Sequence, residues 1–340
     1  MPANFLKPDS VFGTLDLDDE FVTDAWLVDK YTGNGLVGFG YNFYGCLGLD
    51  DATNRSSPVQ VGLLTTWQQV TAGNGHVAAV KTDGTLWTWG FNPSGQIGRS
   101  DLTYRSSPVQ VGSLTNWRQV TAGQNFTAAV KTDGTLWTWG GNSNGPLGDG
   151  TNVNKSSPVQ VGLLTNWKQV SAAAAAAHIA AIKTDGTMWT WGYNLNGQLG
   201  DGTTTTRSSP VQVGILTNWR QVACGSAHTA AVKTDGTLWT CGYNAYGQLG
   251  NNDAGLVSRS SPVQVGALTN WRQVAAGGRG NAVVKTDGTL WACGYNGQGQ
   301  LGDGTIVNKS SPVQVGSLTN WRQVTYADNH VAALQYNDLN

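Results

Sequence analysis

Four histidines are the first candidates for chemistry in this sequence, because all of them stand at one position of an internal repeat. They are His76, His178, His228 and His330. Phe126 and Asn281 take their place in the other two copies of the repeat. Neutral imidazole binds transition metals and titrates near pH 6.5, so a ring of imidazoles would form a metal site or a pH sensor. A zinc site also needs several ligands within about 2.1 Å of one ion. We therefore predict no metal and no cofactor, and we interpret the histidines as structural residues of the repeat.

Basic residues also recur at equivalent positions. Six of them precede a Ser-Ser-Pro segment: Arg55, Arg105, Lys155, Arg207, Arg259 and Lys309. Five lysines open a Lys-Thr-Asp-Gly string: Lys81, Lys131, Lys183, Lys233 and Lys285. Their charge is spread around the repeats and is partly offset by the aspartates of the same strings. We interpret them as solvated surface charges. A ring that binds sulfated or phosphorylated glycans, or another anionic surface, is the alternative.

The remaining ionisable residues predict no catalytic site. Glu20 is the single glutamate, and nearly every aspartate is a copy of one in the next repeat, so no pair of carboxylates is distinguished. Isolated aspartates in Gly-Asp-Gly-Thr turns supply too few oxygens for calcium. The cysteines lack a Cys-x-x-Cys spacing, so we interpret them as buried thiols: Cys46, Cys224, Cys241 and Cys293. We predict that the protein is not an enzyme.

Composition excludes several classes of protein. The chain has 340 residues, a formal net charge of −1, only 12% charged residues and 46 glycines. A near-neutral chain has little attraction for nucleic acid or acidic membranes. The sequence contains no run of about 18 apolar residues and no basic segment followed by an apolar one near residue 1, so we expect no membrane insertion and no classical signal peptide.

A repeat of roughly fifty residues organises the chain, and this period indicates a propeller, a solenoid or an array. Each copy carries a Trp-x-Gln-Val block, a small-residue run ending in Lys-Thr, a Leu-Trp-Thr-Trp-Gly block and a Ser-Pro-Val-Gln-Val-Gly segment. These four short apolar blocks predict four strands. Asp-Gly between the second and third blocks predicts a two-residue hairpin with positive φ at both central residues. Radially packed four-stranded blades are the predicted architecture.

The same count predicts six blades. The last copy stops where its hairpin would turn, and the first copy begins at residues 35–41, which correspond to the third strand. Pairing of the N-terminal and C-terminal strands would therefore complete one blade and remove the free sheet edges. The open half-blade would equally be able to accept strands of a neighbouring molecule, which builds rings or filaments.

Residues 1–34 lie outside the repeats and differ in composition from the propeller region, residues 35–340. They hold seven acidic and two basic residues, a net charge of −5. Their apolar residues, which include Phe5, Phe12, Leu15 and Leu17, are too many for a solvated tail. An arm with both features is suited to bind a partner protein or a sister subunit. We predict that residues 1–34 serve for attachment or assembly.

Variable loop tips are the second departure from the repeat. Recognition residues are usually placed on loops between rigid strands, and exposed tyrosines and isolated arginines are typical interface anchors. The candidate partner-binding residues in these loops are Phe43, Tyr44, Tyr104, Tyr246 and Arg279.

The repeat resembles that of the RCC1 (regulator of chromosome condensation) family. The resemblance is carried by Gly-Tyr-Asn-x-x-Gly-Gln-Leu-Gly-Asp-Gly-Thr, best seen at residues 192–203, and by the Lys-Thr-Asp-Gly-Thr-Leu-Trp-Thr-Trp-Gly run, and it spans about residues 35–335. It implies an RCC1-like β-propeller, commonly of seven blades. Members of the family exchange nucleotides on GTPases, bind chromatin, inhibit β-lactamases or sense ultraviolet light. The near-identity of the copies resembles bacterial or phage members.

We therefore expect a non-catalytic structural or protein-binding propeller, used as a subunit of a multi-copy assembly such as a phage virion or an extracellular filament. A soluble propeller that binds or inhibits a partner protein through its loops is the alternative. Nucleotide exchange on a GTPase is a third possibility, disfavoured because the sequence has no long acidic wedge loop of the exchange-factor kind. We expect no nucleic acid partner.

Overall fold

The computed structural model describes residues 35–63, 66–327 and 329–335, and every regular element in these ranges is a β-strand. The predicted all-β class is confirmed. The strands are β1 Val37–Gly40, β2 Arg55–Gln60, β3 Trp67–Ala72, β4 His76–Lys81, β5 Leu86–Gly90, β6 Arg105–Gln110, β7 Trp117–Ala122, β8 Phe126–Lys131, β9 Leu136–Gly140, β10 Lys155–Gln160, β11 Trp167–Ser171, β12 His178–Lys183, β13 Met188–Gly192, β14 Arg207–Gln212, β15 Trp219–Cys224, β16 His228–Lys233, β17 Leu238–Gly242, β18 Arg259–Gln264, β19 Trp271–Ala276, β20 Gly280–Lys285, β21 Leu290–Gly294, β22 Lys309–Gln314, β23 Trp321–Tyr326 and β24 Val331–Gln335.

Consecutive strands pair antiparallel and form the blades of a propeller. Within the described ranges, five sheets have four strands: β3–β6, β7–β10, β11–β14, β15–β18 and β19–β22. Two further sheets have two strands each, β1–β2 and β23–β24. Together these strands amount to six sets of four, as the repeat predicts. The first strand of each four-stranded sheet packs against the first strand of the next sheet, so these strands lie innermost in the propeller.

The turn between the second and third strands of a blade differs from the predicted two-residue hairpin. Gly84 N–H donates to the Lys81 carbonyl at 2.9 Å, and Lys81 N–H donates to the Thr85 carbonyl at 3.0 Å. Gly84 has a φ of +75°, whereas Asp83 is not among the residues with positive φ. The carboxylate of Asp83 instead accepts hydrogen bonds from the backbone and the hydroxyl of Thr85. A type I turn followed by a left-handed glycine therefore closes the hairpin, because the aspartate side chain stabilises it.

The hydrophobic core lies between neighbouring sheets. Ala128 and Leu136 of one sheet pack with Trp167 and Val170 of the next, and all four are buried. A strand that carries apolar residues on both faces buries both faces only when another sheet packs against each of them. This explains why the small-residue strands, such as β8 and β12, are buried along their whole length.

Glutamine side chains join the innermost strands of successive blades. Gln169 Nε2 donates to the Val222 carbonyl at 3.1 Å, and its Oε1 accepts from Val222 N–H at 3.0 Å. The same pair of hydrogen bonds joins Gln69 to Val120, Gln119 to Val170, Gln221 to Val274 and Gln273 to Val324. Each glutamine amide thus forms hydrogen bonds with a backbone N–H and C=O at the edge of the next innermost strand. Without the glutamine these buried groups would have no partner.

The predicted closure by β1 and β24 is not formed in the described structure. β1–β2 and β23–β24 are separate sheets, and no described strand joins them. Leu334 in β24 is 38% exposed, whereas Val80, at the equivalent position of β4, is fully buried. Val37 and Phe39 in β1 are 43% and 44% exposed. Completion of this blade by the terminal strands therefore stays a prediction, since residues 1–34 and 336–340 lie outside the described ranges.

The glutamine contacts predict a large loss of stability from one buried side chain. Gln169→Ala removes two hydrogen bonds and leaves the buried N–H and C=O of Val222 without partners, so we expect the free energy of unfolding to fall by about 2–4 kcal/mol. Urea unfolding followed by tryptophan fluorescence measures this change. Gln264→Ala, at an exposed position of β18, is the matched control. Equal losses in the two variants would contradict the role of the glutamine.

Candidate functional site

The long loops between the third and fourth strands of each blade lie at one end of the propeller, beside the loops between the first and second strands. We call this end the long-loop rim. A buried asparagine organises each long loop: Asn142 Oδ1 accepts from Leu147 N–H at 3.0 Å, and its Nδ2 donates to the Thr151 carbonyl at 3.0 Å. The repeated Asn and Asp residues therefore fix the loop backbone and leave the intervening positions variable.

The cations before the Ser-Ser-Pro segments are bound within these loops. Each one pairs with an aspartate of the same repeat, as Arg207 Nε does with Asp201 Oδ2 at 2.9 Å. The other pairs are Arg55–Asp51, Arg105–Asp101, Lys155–Asp149, Arg259–Asp253 and Lys309–Asp303. Because the partner carboxylates offset the six positive charges, the geometry gives little support to the alternative of a cationic ring for glycans.

The lysines of the Lys-Thr-Asp-Gly strings are buried, so the prediction of solvated charges was wrong for them. Lys81 Nζ lies 3.6 Å from the ring centroid of Trp87 and 4.7 Å from that of Trp67. Lys131, Lys183, Lys233 and Lys285 repeat this arrangement. Cation–π attraction holds the ammonium group against the indole faces. Burial lowers the lysine pKa values, and the hairpin aspartates oppose this shift.

An aromatic patch covers part of the long-loop rim in the first two repeats. Tyr44 packs against Phe91 with ring centroids 4.3 Å apart, and it contacts Phe43 at 5.0 Å and Tyr104 at 5.6 Å. Tyr41 stacks on Phe43 at 6.3 Å. Tyr41 is 62% and Phe43 64% exposed. The structure thus brings together three predicted site residues, Phe43, Tyr44 and Tyr104, in one exposed cluster.

A second cluster on the same rim combines Arg279 with tyrosines. The exposed guanidinium of Arg279 lies 5.2 Å from the ring of Tyr246 and 5.5 Å from the ring of Tyr295. Tyr246 also contacts Tyr243 at 6.2 Å. Arg279 and Tyr246 are therefore neighbours, as a shared site requires. Among the described residues no ring contact connects this arginine–tyrosine cluster to the aromatic patch.

Sequence reasoning missed four members of these clusters: Tyr41, Phe91, Tyr243 and Tyr295. They follow the third strand directly, at a position that Tyr193 also fills, so they looked like repeated scaffold. The pattern does give a signal, because the aromatic residue at this position contacts another aromatic residue of the same loop, as Tyr41 contacts Phe43 and Tyr243 contacts Tyr246. The predicted residues Phe5, Phe12, Leu15 and Leu17 lie outside the described residues.

The opposite end of the propeller also exposes apolar side chains. The turns that lead from one blade to the next carry Leu63, Leu163 and Ile215, all almost fully exposed. Half-exposed leucines follow in the same turns: Leu114, Leu164, Leu216, Leu268 and Leu318. We call this end the hairpin rim, because it also holds the Lys-Thr-Asp-Gly turns. Sequence reasoning did not single out these leucines.

The histidine position requires a correction in one repeat. His228 pairs with Gly242, and Gly280 pairs with Gly294, so Gly280 and not Asn281 replaces the histidine. Asn281 therefore takes the position of Thr229, because β20 begins at Gly280 in the way that β16 begins at His228. The Tyr326 hydroxyl lies 2.6 Å from the point where a side chain would start on Gly280. Tyr326 thus fills the space that a histidine ring fills in other blades.

The described histidines at the inner strands are structural. His76 Nε2 lies 3.1 Å from Thr127 Oγ1, which donates its own proton to the Gln96 carbonyl, so the imidazole is the donor. His178 Nε2 likewise donates to Thr229 Oγ1, and His228 Nε2 donates to Asn281 Oδ1. Burial lowers the pKa to about 4 for His76 and His228 and to about 3 for His178. His330, by contrast, is exposed. In the described part of the chain, no group of three His, Cys, Asp or Glu residues is placed to hold a metal ion.

The cysteines differ in exposure. Cys224, Cys241 and Cys293 are buried thiols, as predicted, while Cys46 is partly exposed. Burial raises the pKa of Cys241 and that of Cys293 to about 12. A thiol with so high a pKa is a poor nucleophile, because the thiolate is the reactive form.

Comparison with known families gives a consistent result over the repeats. The family model described as "Regulator of chromosome condensation (RCC1) repeat" matches residues 35–80, 83–130, 133–182, 185–232, 235–284 and 287–334. A second model of this repeat matches five segments between residues 67 and 300.

Similar proteins include a curated relative and several solved structures. The ultraviolet-B receptor UVR8 of Arabidopsis thaliana is 33% identical over 136 residues, which are 39% of this chain and 30% of UVR8. The match therefore spans less than a third of that relative. The crystal structure of human WBSCR16 has a TM-score of 0.79 at 23% identity, covering 89% of this chain and 81% of that one.

Prp20p of Saccharomyces cerevisiae, a protein characterised for binding to Gsp1p and histones, has a TM-score of 0.77 at 18% identity, covering 89% of this chain and 79% of Prp20p. At these identities the structural similarity establishes the fold. No helix of membrane-spanning length and apolarity occurs in the described ranges.

The buried histidines predict a fall in stability with mild acid. Their pKa values are lower in the folded than in the unfolded state, so their contribution is complete above about pH 6.5 and is lost as pH falls toward 4. We expect roughly 2 kcal/mol per buried histidine to be lost between pH 7 and pH 5. Urea unfolding at a series of pH values measures this. His228→Gln should lower the number of protons taken up on unfolding near pH 5 by about one. His330→Gln, at an exposed position, should leave this number unchanged.

Proposed function

Because this chain belongs to the family of proteins built from regulator of chromosome condensation (RCC1) repeats, we propose that it is a non-catalytic protein-binding propeller whose long-loop rim holds a partner protein. The observation that carries this proposal is the aromatic patch. Tyr41, Phe43 and Tyr104 are each about half exposed or more, although they contact one another through Tyr44 and Phe91.

The chemistry of the rim suits a protein partner. Exposed aromatic rings that are already held by their neighbours lose little side-chain entropy on binding, and Tyr and Arg are enriched among the residues that dominate interface energy. Arg279 adds a cation that rests on two tyrosine rings, so its planar guanidinium is held ready for a carboxylate. The partner surface we propose is therefore apolar opposite the patch and acidic opposite Arg279.

The similar proteins support the same class of function. Prp20p binds the proteins Gsp1p and histones. The net charge of −1 and the pairing of the six loop cations argue against a nucleic acid partner for this chain. We therefore assign the rim to protein recognition.

A second candidate function is a subunit of a multi-copy assembly, such as a virion or an extracellular filament, attached through residues 1–34. The acidic and apolar composition of residues 1–34, which suits binding to another surface, supports it.

The rim proposal predicts a specific loss of binding. Phe43→Ser combined with Tyr104→Ser removes two exposed anchors without touching the core, so retention of the partner should fall roughly tenfold or more. The measurement is quantitative mass spectrometry of proteins retained from an extract of the source by the immobilised variants. Leu163→Ser on the hairpin rim is the matched control and should retain the wild-type set. If the double variant retains that set as well, the patch is not the binding site.

The assembly proposal predicts a change in molecular mass. Replacing Phe5, Phe12, Leu15 and Leu17 by serine keeps the net charge and removes the apolar residues of the arm, so the protein should become monomeric by light scattering while its circular dichroism stays unchanged. The Phe43→Ser/Tyr104→Ser variant should assemble normally. A wild-type protein that is monomeric at every concentration would contradict the proposal.

A further inference from the structure

A groove on the outer side of the propeller differs in charge from its counterparts. It lies between the sheet β3–β6 and the sheet β7–β10 and has a volume of about 360 Å³. We call it the cationic groove. Its lining includes Arg99, Ser100, Leu114, Trp117, Lys131 and Trp137. Neither aspartate nor glutamate is present among the described residues that line it.

The two equivalent grooves that follow around the propeller each contain an aspartate. The groove between β7–β10 and β11–β14 is lined by Asp149 and Lys155, whose side chains pair at 3.5 Å. The next groove is lined by Asp201, which pairs with Arg207 at 2.9 Å. In the cationic groove Arg99 stands at the position of these aspartates. Of these three grooves, only the cationic groove therefore has a basic residue at this position.

Arg99 brings its guanidinium to the end of the groove near the hairpin rim. Its Nη1 donates to the carbonyl of Gln110, which ends β6 and pairs with Trp87 beside the hairpin turn. Since this hydrogen bond uses one N–H, most N–H groups of the guanidinium remain for a ligand. The loop does not need Arg99 for its own ion pair, because Asp101 pairs with Arg105 at 2.7 Å.

Lys131 brings a second cation to the same end of the groove. The residue is only 6% exposed, and its Nζ lies 3.8 Å from the ring centroid of Trp137 and 4.8 Å from that of Trp117. Within the described part of the chain, no oxygen accepts a hydrogen bond from this Nζ. The carboxylate of Asp133 accepts hydrogen bonds from Thr135 instead. Because a buried charge is costly without a polar partner, an anion in the groove would supply the missing acceptor.

The rest of the groove is apolar apart from two serines. Val111, Leu114 and Pro158 form its walls beside the tryptophans. Toward the long-loop rim, Ser100 Oγ and Ser157 Oγ lie 2.8 Å apart and share a hydrogen bond. Sites for small molecules are typically clefts of about 300–1,000 Å³ that are mostly apolar and hold a few convergent polar groups. The cationic groove has these properties and carries its positive charge at one end.

We propose that the cationic groove binds a small organic acid, whose carboxylate lies between Arg99 and Lys131 and whose ring lies against the apolar walls. The guanidinium offers the carboxylate two parallel N–H groups, and the ammonium adds a point charge. Ring surfaces pack well against indole and proline rings, which favours a ligand with a ring. This site is separate from the long-loop rim and does not depend on the protein partner proposed above.

Three probes test the required chemistry of the ligand. Naphthalene-2-carboxylate has the charge and the ring body, naphthalene-2-carboxamide has the same body without the charge, and sulfate has the charge without the body. In ligand-observed NMR titrations of the full chain, the carboxylate should bind roughly tenfold more tightly than the carboxamide, because hydrogen bonds to charged groups are stronger. Sulfate should not displace it at equal concentration. Equal binding of the carboxylate and the carboxamide, or displacement by sulfate, would overturn the assigned class of ligand.

A variant of Arg99 tests where the carboxylate binds. Arg99→Leu introduces the residue that the first repeat has at this position, Leu49, so the loop should keep its fold. Binding of naphthalene-2-carboxylate should weaken roughly tenfold, because the guanidinium is lost. Lys168→Gln also introduces a residue of the first repeat, Gln68, and removes an exposed cation outside the groove. This matched control should bind the carboxylate as the wild type does.

A pair of lysine variants separates binding from folding. Lys131 and Lys183 each lie against two tryptophans, so Lys131→Met and Lys183→Met should lose similar stability in urea unfolding. Lys131 lines the cationic groove, whereas Lys183 is not among the residues that line the next groove. Only Lys131→Met should therefore weaken binding of the carboxylate, by roughly tenfold. Binding that is equal in the wild type, Arg99→Leu and Lys131→Met would overturn the site. Absence of binding to the wild type would overturn it as well and leave the protein-binding proposal standing.

Discussion

The pairing of a glutamine amide with the backbone of a valine in the next blade is the interaction on which this propeller depends. A strand at the centre of a propeller has an edge with no further strand beside it, and an unpaired N–H or C=O buried there is costly. The side chain of Gln169, and its counterparts in the other blades, supplies one donor and one acceptor at the required spacing. Blade follows blade because β7, β11, β15 and β19 each both receive and provide this contact.

The same arrangement explains why so much polar and charged chemistry in the sequence serves the fold. Imidazoles donate to threonine or asparagine across blades, lysines rest between tryptophans, and loop cations pair with loop aspartates. Each of these groups is repeated because the interface it stabilises is repeated. Function is therefore expected where the repeat is broken, and the breaks are the aromatic patch, the arginine–tyrosine cluster, residues 1–34 and the two half-blades.

The long-loop rim is independent of the interfaces between blades, because its aromatic residues lie in loops held by asparagine and aspartate and not in the innermost strands. The aromatic residues of the rim are therefore able to vary without disturbing the contacts that hold the blades together.

Sequence alone determined the repeat, the strands and the all-β propeller, because short apolar blocks separated by turn residues leave few other structures. It also indicated Phe43, Tyr44, Tyr104, Tyr246 and Arg279, since variable positions in a repeat stand out. It did not determine that Phe91 joins Phe43, Tyr44 and Tyr104, because the ring contact between Tyr44 and Phe91 connects residues of different repeats.

Only the tertiary structure decided the burial of the lysines and the alignment at Gly280. Burial of Lys81 depends on tryptophans that converge from two strands, and the replacement of a histidine by Gly280 follows from strand register. Whether β24 meets β1 depends on the angle accumulated over successive blades. That angle is set by packing between sheets, which no local pattern of residues encodes.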